Sequence, residues 1–227
     1  MIGCVAMIDK NEVLRYLGYR GQDIDDNMEA LINICREEVV KKSNPRYIYR
    51  YFDLNNSDDG IELKDTILLL EGNDIKKHLK GCHKCAILVV TLGLNIEREI
   101  NKNEKINLTK SLILDACATT YIEEICDSVQ NEIEDDVKKN KFNITSRFSP
   151  GYGDLTLSIQ KDILNVMNSS STVGVTATSH NILLPRKSVT AIIGISSEKQ
   201  KSLKRECSHC NKYESCNFRM GGKNCGN

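Results

Sequence analysis

The sequence predicts an α+β fold, with a mixed and largely antiparallel twisted sheet flanked by helices and a small cysteine-rich tail at the C-terminal end. Helical and strand patterns alternate along the 227 residues without a regular β-α-β repeat. Hydrophobic residues make up 40% of the chain, which is enough to bury a core and excludes a disordered protein. From Glu198 onward apolar residues nearly vanish and cysteines accumulate. We therefore expect one large domain with an appendage.

Apolar residues at helical spacing predict five helices, over residues 9–19, 23–42, 73–79, 109–139 and 156–167. The second is well marked, because acidic residues crowd its start and lysines its end, as the helix dipole favours. Pro45 then blocks its continuation. The fourth is the longest, and the small residues Ala116, Cys117 and Ala118 in its middle permit close packing.

Alternating and β-branched runs predict seven strands, over residues 46–54, 61–63, 66–70, 85–92, 142–145, 173–175 and 189–195. In the first, Tyr47, Tyr49 and Tyr51 share one face. The fourth is almost entirely apolar, which is typical of a strand buried on both faces. The segment 146–154 lacks either pattern and is predicted to be a loop.

The charge balance argues against two classes of partner. Lys and Arg number 31 and Asp and Glu 31, so the formal net charge is zero and the chain lacks the basic stripe of a nucleic-acid binder. No apolar run approaches the roughly 20 residues of a membrane helix. The apolar start is interrupted by Asp9 and Lys10 without a basic leader. We expect a cytoplasmic protein without nucleic-acid or membrane partners.

The segment from Arg147 to Tyr152 has the chemistry of a ligand-binding loop. Pro150 and Gly151 favour a tight turn, because proline restricts one dihedral angle and glycine accepts a positive one. The Arg147 guanidinium can bind a carboxylate through two parallel hydrogen bonds. The Tyr152 ring can attract a sulfonium cation. The alternative is an ordinary Pro-Gly turn beside a surface arginine.

The pattern Arg147-x-x-x-Gly151-Tyr152 is similar to the S-adenosylmethionine-binding motif of the activation (reactivation) domain of cobalamin-dependent methionine synthase. Flanking segments resemble the same family in the same order: Leu92-Gly93 after a strand, the helical stretch 114–127, and the Thr/Ser-rich segment 175–189 with its Pro185. The resemblance covers residues 65–196. Together with the change of composition at Glu198, it predicts an N-terminal helical and strand region (1–60), an S-adenosylmethionine-binding activation core (61–197) and a cysteine-rich metal-binding tail (198–227).

The family resemblance implies an activation subunit of a methyltransferase. Such a domain presents S-adenosylmethionine to cob(II)alamin, and one electron together with the sulfonium methyl group restores methylcobalamin. Nothing in this chain resembles a cobalamin-binding or homocysteine-binding module. We therefore expect a stand-alone form whose partner is the cobalamin-binding methionine synthase core on a separate chain.

By motif position, the resemblance assigns cofactor-binding roles to four loop residues. Arg147 would hold the methionine carboxylate, and Ser149 and Gly151 would offer backbone contacts. Tyr152 would pack against the cofactor or contact the cobalamin side.

Acidic residues near the motif leave alternatives open. Either Glu123 or Glu124 on the long helix would be the acid nearest the ligand, unless both lie on a solvated face. Asp154 would contact the ligand or cap a helix beginning near Thr156, and we favour the cap.

The tail carries a Cys-x2-Cys-x5-Cys-x8-Cys pattern formed by Cys207, Cys210, Cys216 and Cys225. Four thiolates suit tetrahedral zinc or an iron–sulfur cluster, and a metal would organise a segment with few apolar residues. A cluster would relay a low-potential electron from a flavodoxin or ferredoxin. The alternative is a flexible tail with unligated thiols.

The remaining cysteines are predicted to have structural roles. Cys82 and Cys85 form another Cys-x2-Cys pair, and a redox or metal-binding role for it stays open. We favour a structural interpretation, in which Cys85 is the first core residue of its strand and Cys82 lies in the loop that precedes it. Cys35, Cys117 and Cys126 lie in predicted helices and are expected to pack in the core.

Two other functions stay open. The same fold would serve as the reactivation subunit of a different corrinoid methyltransferase. A separate class is an iron–sulfur or zinc redox protein in which the ligand site is vestigial. The sequence contains no recognisable catalytic triad, P-loop or glycine-rich dinucleotide-binding motif.

Overall fold

A computed structural model describes residues 8–198, and it confirms the predicted α+β class. Within these residues the chain forms seven α-helices: α1 Lys10–Tyr16, α2 Asp26–Lys42, α3 Asn73–His78, α4 Leu94–Glu104, α5 Leu108–Lys138, α6 Gln160–Val166 and α7 Ser169–Thr172. The strands are β1 Arg46–Asn56, β2 Ile61–Leu63, β3 Leu69–Leu70, β4 Lys84–Thr91, β5 Asn143–Ile144, β6 Thr176–Ala177, β7 Leu183–Leu184 and β8 Ser188–Ser196. None of the described helices is both long enough and apolar enough to cross a membrane.

Six strands form one antiparallel sheet in the order β3-β2-β1-β4-β8-β5. Its register pairs Leu54 with Leu63 between β1 and β2, and Ile144 with Ile195 between β5 and β8. The central strand β4 is buried from Cys85 to Thr91, as its largely apolar sequence predicts. The short strands β6 and β7 form a separate hairpin.

The described residues fall into two compact units. The first contains residues 8–48, Val89–Asn131 and Ser169–Val189, and the second contains Tyr49–Leu88, Glu132–Asn168 and 190–198. In the first unit α2 packs against α4, and the Lys110 ammonium pairs with the Glu38 carboxylate at 2.8 Å. In the second unit, two tyrosine hydroxyls of β1 donate hydrogen bonds to carboxylates of α5; the pairs are Tyr49–Glu132 and Tyr51–Asp136.

The first two helices begin later than the sequence pattern predicts, because aspartates cap them. The Asp9 carboxylate accepts hydrogen bonds from the backbone N–H groups of Asn11 and Glu12. The Asp25 carboxylate accepts one from Met28 at 2.7 Å. A capping residue lies outside the helical dihedral region, so each helix starts after its aspartate.

Further sequence-based assignments differ from the structure. Helix α4 was not predicted, since it has few apolar positions, with Ile96 and Ile100 among its buried residues. The strand predicted at 173–175 is wrong: the N–H groups of these residues donate to the carbonyl of Ser169 and close the end of α7. The helix predicted at 156–167 begins as a 3-10 turn over Leu157–Ile159 before α6. Residues 199–227 of the predicted tail lie outside the described residues.

Candidate functional site

The chain leading to Arg147 runs along the edge of the main sheet. After β5, the N–H of Thr145 donates to the Gly194 carbonyl of β8 at 2.9 Å. Phe148 then pairs with Ile192 through two backbone hydrogen bonds of 2.9 and 2.8 Å. Arg147, which is partly buried, is therefore held between two points of attachment to the same strand.

The predicted Pro-Gly turn is confirmed. The N–H of Tyr152 donates to the carbonyl of Ser149 at 3.1 Å. The central residues are Pro150, which is buried, and Gly151, which is exposed and whose φ of 92° suits glycine. The Gly151 N–H donates within the loop to the Leu155 carbonyl at 2.8 Å. Tyr152 is 56% exposed, so the turn presents an aromatic ring to solvent.

Asp154 is a helix cap, but it caps α3 and not the helix near Thr156 as predicted. Its carboxylate accepts hydrogen bonds from the backbone N–H groups of Asn73 at 2.6 Å and Asp74 at 3.0 Å. These bonds, together with the charge of Lys77, hold the Asp154 pKa below its usual value. Thr156 precedes the 3-10 turn without a side-chain capping bond.

Two glycines permit this close approach of the loop to α3. A Cβ at Gly72 would overlap the Asp154 carboxylate, and a Cβ at Gly153 would overlap the Asp74 carboxylate. Both glycines also have positive φ, 127° and 52°, which disfavours other residues.

His78, in the last turn of α3, contacts the chain on the other side of Arg147. Its buried imidazole places Nε2 2.9 Å from the Ser146 carbonyl and 2.9 Å from the Thr145 hydroxyl. That hydroxyl also accepts a hydrogen bond from the N–H of Gly194 at 2.8 Å. The imidazole and the Phe148 ring lie 5.0 Å apart between centroids. His78 thereby contacts Thr145, Ser146 and Phe148.

The two predicted acids, Glu123 and Glu124, lie on α5 in the first unit, whereas Arg147–Tyr152 belongs to the second. Glu124 does not lie on a solvated face. One carboxylate oxygen accepts a hydrogen bond from the Asp9 N–H at 2.8 Å, and the other is buried without a partner among the described residues. Burial raises the Glu124 pKa above its usual value, since it disfavours the charged carboxylate.

The Thr/Ser-rich segment 175–189 forms the β6–β7 hairpin and the start of β8. Below the hairpin, the Lys187 ammonium lies 2.9 Å from the Asp115 carboxylate and donates to the Thr119 hydroxyl at 2.7 Å. The Ser188 hydroxyl donates to Thr91 at 2.8 Å. These bonds fix the base of the hairpin on α5 and β4.

The described cysteines are packing residues, as predicted. Cys35, Cys117 and Cys126 are fully buried in their helices. Burial raises the pKa of Cys82 to about 11 and that of Cys85 to about 12, which disfavours the thiolate that redox pairs and metals need.

Among residues 8–198, no group of three or more His, Cys, Asp or Glu side chains is arranged to hold a metal ion. The predicted metal ligands Cys207, Cys210, Cys216 and Cys225 all lie outside the described residues.

The sequence patterns did not identify His78 as part of this region or connect Asp154 with α3. One local signal was available. Gly72 precedes α3 and has no side chain to satisfy the first N–H groups of the helix, so their acceptor is either water or a residue elsewhere in the chain. For His78 no comparable sequence signal exists.

No family model matches the chain, and no curated protein sequence shows a significant match. The fold, however, is similar to a solved structure, described as the crystal structure of the MetH reactivation domain bound to AdoHcy. The TM-score is 0.61 and the sequence identity 13%, and the match covers 95% of this chain and 77% of that chain. At this identity the likeness shows a shared fold.

Proposed function

We propose that this chain binds S-adenosylmethionine at the Arg147–Tyr152 loop and supports reductive remethylation of cob(II)alamin on a separate cobalamin-dependent methionine synthase. The proposal rests on the agreement between the fold and the sequence motif. The chain shares its fold, over 95% of its length, with a reactivation domain bound to AdoHcy. Its Arg-x-x-x-Gly-Tyr motif forms an ordered turn with an exposed tyrosine.

The chemistry of the loop fits such a ligand. A partly buried guanidinium binds a carboxylate more strongly than a fully solvated one, because less water competes for its N–H groups. The exposed Tyr152 ring offers a face to a sulfonium or an adenine. Because the Gly151 N–H is engaged with Leu155, we assign the backbone contact of Gly151 to its carbonyl group.

The chain's own role is to bind and orient. Bound S-adenosylmethionine supplies an electrophilic methyl group, and one electron must also reach the cobalt for methylcobalamin to form. We assign the electron to a flavodoxin or ferredoxin, relayed by an iron–sulfur cluster at the tail cysteines, with zinc as the alternative metal. We place the protein and these partners in the cytoplasm.

Calorimetric titration with S-adenosylmethionine and with S-adenosylhomocysteine tests the binding step. Arg147→Ala should abolish or strongly weaken binding, whereas the matched variant Arg98→Ala, at an exposed position of α4, should leave it unchanged. Absence of binding by the wild-type protein, or equal affinities for the wild type and Arg147→Ala, would refute the proposal.

A second experiment separates the proposed activity from its alternatives. Metal analysis and a visible spectrum of anaerobically purified protein distinguish an iron–sulfur cluster from zinc. Identification of the corrinoid protein that copurifies distinguishes methionine synthase from another methyltransferase system. A metal-bearing protein that binds no S-adenosyl ligand would support the redox alternative.

A further inference from the structure

The internal hydrogen bonds of the Arg147–Tyr152 loop determine its shape but not its position. Tyr152 to Ser149, Gly151 to Leu155 and Leu155 to Tyr152 are all bonds between neighbours in sequence. The backbone pair between Phe148 and Ile192 attaches the start of the loop to β8. The turn that follows can still pivot about this attachment, so placing Tyr152 relative to Arg147 requires a further anchor outside the turn.

Helix α3 supplies an anchor beyond each end of this loop. At its N-terminal end, the first two N–H groups bind the Asp154 carboxylate, two residues after Tyr152. At its C-terminal end, His78 binds the carbonyl of Ser146, the residue before Arg147. Six residues of α-helix span about 9 Å, so one short and stiff element holds both flanks.

The helix is itself fixed, so it can hold the loop. Ile75 is fully buried and Leu79, the residue after the helix, is 3% exposed. His78 is further enclosed by Phe148 and by the Thr145 hydroxyl, which is bound to β8 through Gly194. Both attachments thus lead back to the core of the second unit.

We propose that α3 positions the Arg147–Tyr152 loop, and that Asp154 and His78 are positioning residues for ligand binding at Arg147. The part that concerns the ligand rests on the proposed function. A pre-positioned loop loses little conformational entropy when the ligand binds, so detaching it should weaken binding without removing any group that touches the ligand.

Hydrogen exchange of the ligand-free protein tests the positioning itself. Asp154→Ala should raise the exchange rates of the Tyr152 and Leu155 amides about tenfold or more, because local opening becomes easier. Asp25→Ala removes the same kind of cap from α2 and should leave these amides unchanged. Equal exchange rates in wild type and Asp154→Ala would overturn the proposal whether or not any ligand binds.

Conservative variants separate positioning from folding. Asp154→Asn keeps an acceptor oxygen and His78→Gln keeps an N–H donor, so both should retain more of the loop protection than Asp154→Ala and His78→Leu. If the conservative variants lose as much protection as the apolar ones, the hydrogen bonds assigned here are not what hold the loop.

A double-mutant cycle on S-adenosylmethionine affinity tests the link to the ligand. Asp154→Ala should weaken binding about tenfold in the wild-type background and clearly less in an Arg147→Lys background, which still binds measurably, since its effect acts through Arg147. Additive effects would overturn the positioning role. If the wild type binds no S-adenosyl ligand, the proposed function fails, and the exchange experiment still decides whether α3 holds the loop.

Discussion

The Asp154 carboxylate accepts a hydrogen bond of 2.6 Å from the backbone N–H of Asn73, a residue 81 positions away in sequence. A helix that begins after a glycine has no capping side chain of its own. The loop therefore completes the helix, and the helix in turn holds the loop. The contact between Asp154 and α3 therefore depends on the charge of the carboxylate and on the small glycines of positive φ beside it.

Acid should weaken this contact. The Asp154 pKa is lower in the folded protein than its usual value, so its contribution to stability is full above the unfolded-state pKa of about 3.9 and disappears as the pH falls through the folded-state pKa. We expect the urea midpoint of wild type to exceed that of Asp154→Asn at pH 6, and the difference to shrink at pH 3. A difference that is constant with pH would show that ionised Asp154 contributes nothing.

Replacing Gly153 should destabilise the protein more than replacing another glycine of positive φ. Gly153→Ala places a Cβ against the Asp74 carboxylate at a φ of 52°, whereas a Cβ at Gly18, with φ of 78°, meets nothing within 4 Å. The left-handed conformation costs about 1–2 kcal/mol in both variants. Chemical denaturation should show an additional loss for Gly153→Ala of about 1 kcal/mol or more, from the steric conflict alone.

The geometry of the Arg147 side chain should matter as well as its charge. Arg147→Lys keeps the positive charge but loses the planar fork that binds a carboxylate through two bonds. We expect the dissociation constant for S-adenosylmethionine to rise about tenfold, less than for Arg147→Ala. Calorimetry with both variants checks the order, and an affinity of Arg147→Lys equal to that of wild type would contradict bidentate binding.

Gly194 should tolerate no side chain, because three side chains converge on it. An added Cβ would lie 2.6 Å from the Cys82 sulfur, 2.9 Å from Leu79 Cδ2 and 3.1 Å from Thr145 Cγ2. We expect Gly194→Ala to lower the free energy of unfolding by about 1–3 kcal/mol. Adding Cys82→Ala should recover part of this loss, and a strictly additive double variant would argue against the contact.

The Cys82 and Cys85 thiols should resist alkylation in the folded protein. With a pKa of about 11, Cys82 is a thiolate in only about one molecule in a thousand at pH 8, and Cys85 is fully buried. Iodoacetamide labelling followed by peptide mass spectrometry should find both unmodified until urea is added. Rapid labelling of the native protein would instead support the redox interpretation of this pair.

Long elements with a strong pattern were predicted nearly to the residue. The predictions 85–92 and 109–139 correspond to β4 Lys84–Thr91 and α5 Leu108–Lys138. A buried strand is recognisable because nearly every position is apolar, and a long helix because its apolar spacing repeats many times. Helix α4 offers only a few such positions over Leu94–Glu104, so its periodicity was too weak to identify.

Of the candidate site, the sequence by itself determined the turn at Pro150 and Gly151 and the residue types beside it. The physical reason is local: the dihedral preferences of proline and glycine act within a few residues. Only the tertiary structure decided that Asp154 caps α3, that His78 packs against Phe148, and that one oxygen of Glu124 is buried. A carboxylate accepts a hydrogen bond from any N–H group, so its partner depends on which distant segments the fold brings together.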